Sequence, residues 1–141
     1  MNKIDSFSGE YKFLSNFYPC KYGIKLDNSV YPSVEHAYQA AKTLDKTDRK
    51  NFLHCKPGEA KRLGKKLKIR NDWEKIKINL MYLLNKQKYL KDSSLKEKLL
   101  NTQDLELIEG NDWGDTFWGV YNNKGRNELG KILMKIRNEL K

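Results

Sequence analysis

Residues 31–42 read Y-P-S-V-E-H-A-Y-Q-A-A-K and set a carboxylate, a phenol, an amide and an amine at Glu35, Tyr38, Gln39 and Lys42. These positions are i, i+3, i+4 and i+7, so a helix aligns them along one stripe. On pattern alone the stripe fits a solvated face, backed by the small apolar residues Val34, Ala37 and Ala41. It also fits one wall of a pocket, where a carboxylate and an amine can move protons on a polar substrate. A second unusual stretch covers 110–130, with five glycines, two tryptophans and two aspartates. Glycines there let the backbone approach a ligand closely, and Asp115 and Trp118 stand three residues apart in its tightest part. Lys124 and Arg126 lie beside the predicted start of the last helix, where free amides favour an anion. The same composition also suits a structured loop whose tryptophans anchor a core. A third stretch, F-S-G-E-Y-K-F-L-S-N-F-Y-P at 7–19, gathers five aromatics around Asn16. These side chains can hold a planar base or simply half-fill a core.

The elements that position these groups follow from pattern. Pro32 and Ser33 open the helix carrying Glu35. Residues 7–19 read as a short strand followed by an ordered loop. Strands over 21–26 and 30–31 flank Asp27-Asn28, which is turn chemistry for a small hairpin leading into that helix. A second helix is expected from about 45 or 47 to 54. A third follows Lys56-Pro57-Gly58, with Ala60, Leu63, Gly64 and Leu67 on one stripe, where Gly64 permits close helix contact. Asp72 is expected to cap a long helix to about 90 with a core face of Trp73, Ile76, Leu80, Leu83 and Leu84. Ser94 and Glu97 form a capping-box pattern for a helix to 100. A short strand covers 105–109, and a final helix over 127–140 repeats Leu129, Ile132, Leu133, Ile136 and Leu140.

With 141 residues, 38% hydrophobic and 33% charged, the chain suits one soluble domain spanning 1–141. No stretch approaches the apolar length of a membrane span, and residues 1–9 lack the apolar core of a signal peptide, so a cytoplasmic protein without membrane association is expected. Cys20 and Cys55 are too few for a disulfide framework, and their spacing with His36 and His54 matches no zinc motif, so no metal is expected. The net charge of +10 favours polyanionic partners, nucleic acid or a phosphorylated small molecule. The lysines are spread along the chain, however, and most suit a solvated basic surface.

Seven segments, taken in order, resemble the NADAR or YbiA-like family, which is associated with NAD and ADP-ribose metabolism. They are F-L-S-N-F-Y-P at 13–19, Y-P-S-V-E-H-A-Y-Q-A-A-K at 31–42, P-G-E-A-K-R-L-G at 57–64 and R-N-D-W-E at 70–74, then K-Y-L-K-D-S-S-L-K-E-K-L-L at 88–100, D-T-F-W-G at 115–119 and G-R-N-E-L-G-K-I-L-M-K-I-R at 125–137. Asp27-Asn28 replaces the family's usual Asp-Gly turn, and Gln103 stands where glycine is common. The resemblance implies a compact, mainly α-helical fold (α+β with a few short strands) and an N-glycosidase needing no metal or redox cofactor. Family activities are hydrolysis of the ribosyl–amine bond in early riboflavin-pathway intermediates and removal of ADP-ribose from guanine. The implied partner is a phosphorylated ribose nucleotide, extending to ADP-ribosylated DNA or RNA, bound by a monomer or small homo-oligomer.

Breaking a C1′–N bond builds oxocarbenium character on the ribose, which a nearby carboxylate stabilises. Glu35 is the leading catalytic candidate, Asp115 the second carboxylate, and Lys42 a third group that either captures an opened sugar or contacts charge. Trp118 with Phe17 suits the base, Asn16 its polar edge, and Tyr38 and Gln39 the ribose. Arg126 with Asn127 suits the phosphate, and Gly119 completes the matched loop. Trp73 is either a substrate contact or a helix anchor. Two other classes compete: a module that binds an NAD-derived nucleotide without turnover, and a plain nucleic-acid-binding protein. The second lacks any helix-turn-helix, zinc-finger or RNA-binding signature.

Overall fold

The computed structural model describes residues 2–141. The chain is mainly α-helical with short strands only, and it forms two units. One comprises the residues up to Ser15 together with Asp92–Lys141, and the other Asn16–Lys91.

In the 16–91 unit, β2 (Ile24–Leu26) and β3 (Ser29–Tyr31) form the expected hairpin, with Leu26 paired to Ser29 across the Asp27-Asn28 turn. Asp27 takes a left-handed conformation at φ 53°, which a short polar side chain tolerates. The hairpin feeds α1 (Val34–Ala40), which packs on α3 (Pro57–Gly64) and α4 (Trp73–Lys91). The Gln87 side chain on α4 joins the hairpin as a strand would, accepting from Lys25 N at 2.6 Å and donating to Lys25 O at 2.9 Å. Between α1 and α3 lies α2 (Lys46–Lys50), capped by Asp45 and shorter than expected.

The core face of α4 differs from the apolar pattern. Leu83 is 51% exposed, and the buried residues are Trp73, Met81, Leu84, Asn85, Lys88 and Tyr89. Two partnerships help to hold polar groups there: Asn85 Nδ2 donates to Asn16 Oδ1 and Met81 O, and the Lys88 ammonium lies over the Tyr18 and Tyr89 rings. Burial pushes the Tyr89 phenol far above its ordinary range. Asp72 immediately precedes α4, its carbonyl accepting from Ile76 N, and its carboxylate pairs with Arg70 at 2.6 Å, which holds its pKa below the usual carboxylate range.

In the other unit, β1 (Lys3–Ile4) pairs in parallel with β4 (Glu106–Leu107). The strand expected within 7–19 is instead a 3₁₀ helix over Gly9–Leu14 that buries Phe13 and Leu14. Gly9, at φ 59°, bends the chain away from extended geometry. The final helix α6 (Glu128–Glu139) packs on β4, with Leu129, Ile132, Leu133 and Ile136 inward as its period predicts. Buried Arg137 ties α6 to the preceding loop, donating to Thr102 Oγ1 and Leu105 O. No helix among the described residues is long and apolar enough to cross a membrane.

The cap of α5 (Ser93–Leu100) also differs from the capping-box pattern. Asp92 Oδ1 accepts from Ser94 N at 3.0 Å and Leu95 N at 3.3 Å, so the helix begins one turn's fraction earlier. Asp92→Ala should therefore lower unfolding free energy by about 1 kcal/mol, whereas Asp92→Asn and Ser94→Ala should change it far less. Urea denaturation of the three variants checks this, and an equal loss in Ser94→Ala would restore the capping box.

Candidate active site

Helix α1 is buried on every side, so the solvated-face reading of its polar stripe is overturned. Its start is fixed by four contacts. Ser33 Oγ accepts from His36 N, and the Asn16 carbonyl accepts from Glu35 N at 3.0 Å. His36 Nε2 lies 2.6 Å from Cys55 O, and a carbonyl only accepts, so Nε2 carries the proton. His36 Nδ1 lies 2.7 Å from the Ser33 hydroxyl. An imidazole held at both ring nitrogens thus locks the helix entrance.

Within the helix, Glu35, Tyr38 and Gln39 are only 7%, 5% and 6% exposed. Gln39 Nε2 donates to Glu35 Oε2 at 2.7 Å. A buried carboxylate is costly unless it is hydrogen-bonded, and this amide supplies part of what it needs. The Tyr38 ring packs on Trp73 with centroids 5.0 Å apart, and the Lys42 ammonium lies 5.6 Å from the Tyr38 centroid. Trp73 is 5% exposed, as a helix anchor would be.

The helix ends at Ala40, so Lys42 stands just past it rather than on its last turn. Arg70 pins this end, its N–H donating to Lys42 O at 2.8 Å. Half-buried Lys42 has its pKa lowered, first by burial and then by the positive charges of Lys77, Lys65 and Lys61, while Glu35 acts in the opposite sense. An amine biased towards neutrality is nucleophilic. Asn16 is 9% exposed and its amide meets Met81 and Asn85, whereas Phe17 in the same loop is 41% exposed.

The second group of predicted residues lies in the other unit. Asp115 Oδ1 accepts from Phe117 N at 3.0 Å and Trp118 N at 2.9 Å, folding the loop around one carboxylate oxygen. Trp118 meets Phe117 edge to face, and the Arg126 guanidinium covers the Phe117 ring at 4.6 Å while pairing with Glu128. The Asn127 amide is engaged on both sides: Oδ1 accepts from Glu109 N and Nδ2 donates to Leu107 O. Gly119 is needed for packing, since a Cβ there would lie 2.1 Å from Glu109 O. The structure therefore assembles Asp115, Trp118 and Arg126 with Phe117, and gives Asn127 and Gly119 architectural contacts.

This unit also carries an open cleft of about 650 Å³ lined by Lys3, Asp5, Asn111, Asp112, Trp113 and Asn122, among others. None of the residues predicted to act lines it. Glu35 is buried and Lys42 half-buried, whereas the cleft walls are largely exposed. Sequence reasoning missed the Ser33–His36–Cys55 lock, Phe117, and Lys61, Lys65 and Lys77 around Lys42. Helical spacing from Glu35 signals none of these, because they lie on other elements or on the helix's far side.

Comparison with known proteins places the chain among relatives of one family. An N-glycosidase of Nostoc punctiforme is 37% identical over 138 residues, covering 93% of this chain and 86% of that protein. N-glycosidase YbiA of Escherichia coli is 33% identical over 139 residues, covering 96% and 85%. The solved NMR structure of E. coli YbiA superimposes with a TM-score of 0.82 over 98% of this chain and 83% of that one. A riboflavin biosynthesis protein of Vibrio vulnificus is 39% identical over 132 residues, and this chain spans about a third (35%) of its length. By class the chain is an N-glycosyl hydrolase. It belongs to the NADAR domain family, whose profile matches residues 5–141.

The charges around Lys42 predict how it titrates. Its ammonium should deprotonate below the ordinary lysine range, Lys77→Gln should raise its pKa, and Glu35→Gln should lower it further. Side-chain NMR of isotopically labelled lysine reads all three, and an unshifted Lys42 in the wild-type chain would contradict the burial argument.

Proposed function

We propose that the chain hydrolyses the C1′–N bond between a phosphorylated ribose and a base-like amine. Substrates of this kind are ADP-ribosylated guanine in DNA or RNA and ribosylamine intermediates of early riboflavin synthesis. The observation that carries the proposal is a buried carboxylate, Glu35, oriented by Gln39 and electrostatically coupled to the amine of Lys42. Relatives named as N-glycosidases and as riboflavin biosynthesis proteins support the reaction class and one of the two substrate classes. Two free cysteines suit a reducing cytoplasm.

In this reading Glu35 exchanges protons with the ribose hydroxyls and stabilises positive charge at C1′. Opening of the sugar ring makes C1′ an imine of the leaving base. The neutral Lys42 amine adds there, the base departs as a free amine carrying the transferred proton, and water hydrolyses the Lys42 imine to release the sugar. No step requires a metal or redox group.

Incubation with ADP-ribosylated oligonucleotides and with ribosylamine pyrimidine phosphates, followed by detection of released ADP-ribose or ribose phosphate, tests the reading. Glu35→Gln should retain substrate binding and lose about 10²–10⁴-fold in turnover. Lys42→Arg should be inactive, and borohydride added during turnover should fix the sugar to Lys42. Normal turnover by Lys42→Arg reduces Lys42 to a charge contact, and binding without turnover by the wild-type chain returns the non-catalytic module. If modified nucleic acid is the substrate, its hydrolysis should fall steeply with salt while that of a free nucleotide falls much less.

A further inference from the structure

Helices α1 and α3 meet closely at Gly64. A Cβ built there would lie 1.9 Å from Gln39 Oε1 and 2.7 Å from Gln39 Cδ. The Gln39 amide is therefore seated against the bare α-carbon of α3. Its other half, Nε2, is the group that donates to Glu35 Oε2. Charge fixes which way the amide faces: turned over, its carbonyl oxygen would oppose the carboxylate. Gln39 Oε1 consequently points at α3, and it is buried with no hydrogen-bond partner. An unpartnered buried carbonyl costs free energy, of which a contact with the Gly64 Cα–H returns only a part. Such a cost persists where the other end of the same group does something the protein requires.

We propose that Gly64 is a positioning residue: the absence of its side chain seats Gln39 so that Glu35 is held in one orientation for the reaction. This assigns Gln39 to Glu35 rather than to the substrate, and it rests on the catalytic role proposed above for Glu35. The atoms that a new Cβ would meet are the far end of a flexible side chain. Gly64→Ala is thus accommodated by swinging the Gln39 amide away, which breaks the bond to Glu35 and leaves the helix backbones in place.

The test compares Gly64→Ala, Gln39→Ala, the double variant and Glu35→Gln on whichever of the two substrates the wild-type chain hydrolyses, with thermal midpoints measured in parallel. Gly64→Ala should lower kcat by roughly 10²-fold, the scale of a small misplacement, with KM changed less than about threefold. Added to Gln39→Ala, it should cost nothing further, because its effect runs through Gln39. In NMR, the slowly exchanging Gln39 side-chain amide of the wild-type chain should exchange fast in Gly64→Ala, whether or not any substrate is turned over. Wild-type kcat in Gly64→Ala, or an equal loss in both backgrounds, overturns the proposal while an inactive Glu35→Gln leaves the reaction reading intact. An active Glu35→Gln overturns both. If Gly64→Ala does not fold, Gln39→Ala alone decides: normal kcat there also overturns the proposal.

Discussion

A carboxylate held out of water inside a helix with no solvent-facing side is the constraint on which the rest of the 16–91 unit depends. Transferring an ionised Glu35 into that environment costs several kcal/mol unless hydrogen bonds and opposite charge replace the lost water. The replacements are specific. Ser33 and the Asn16 carbonyl fix the first turn, Gln39 supplies an amide donor, and Lys42 supplies opposite charge. These impose further requirements: His36 must bridge Ser33 and the Cys55 carbonyl, and α3 must present glycine to Gln39. The hairpin and α4 then serve as walls, with Trp73 closing the Tyr38 side.

What was legible beforehand follows the range of the forces involved. The Asp27-Asn28 turn and α6 were readable because turn chemistry and an uninterrupted 3.6-residue period act within a few residues. The core face of α4 was not, because period alone favours Leu83, whereas the structure buries Asn85 and Lys88 by giving them partners distant in sequence. The cap of α5 was misplaced for a subtler reason: Asp92 and Ser94 are both good caps, and only the path of the chain decides between them. The stretch at 7–19 misled because aromatic density resembles a strand, while a single glycine at positive φ turns it into a 3₁₀ helix.

At the candidate site the same limit appears. Spacing placed Glu35 and Gln39 together, and the structure joins them by a hydrogen bond. It could not decide whether their stripe met water, since a mixed polar stripe is compatible with both a surface and a pocket. Gly64 was legible as a point of helix contact, but what it contacts lies on α1, about 25 residues away in sequence, beyond any local pattern. In the 110–130 stretch, Gly119 shares a motif with Asp115 and Trp118, yet it packs against Glu109, and Asn127 ties the start of α6 to β4. Membership of a motif therefore does not by itself separate candidate ligand contacts from groups that shape the loop.

The excess of lysine takes on a second meaning once Lys42 is considered. A net charge of +10 is ordinarily an argument about solubility and polyanionic partners. Here three of those charges, on Lys61, Lys65 and Lys77, also act on a half-buried amine and favour its neutral form. Burial is the larger cause, because removing an ammonium from water disfavours the charged state whatever its neighbours. The lysines add to it from α3 and α4, and Glu35 works against both. Surrounding cations can thus attract an anionic substrate and bias one amine towards nucleophilicity at the same time. The two effects differ in reach. Attraction between exposed charges is screened by salt beyond about 8–10 Å, while burial of Lys42 is a local property of the fold that salt leaves in place.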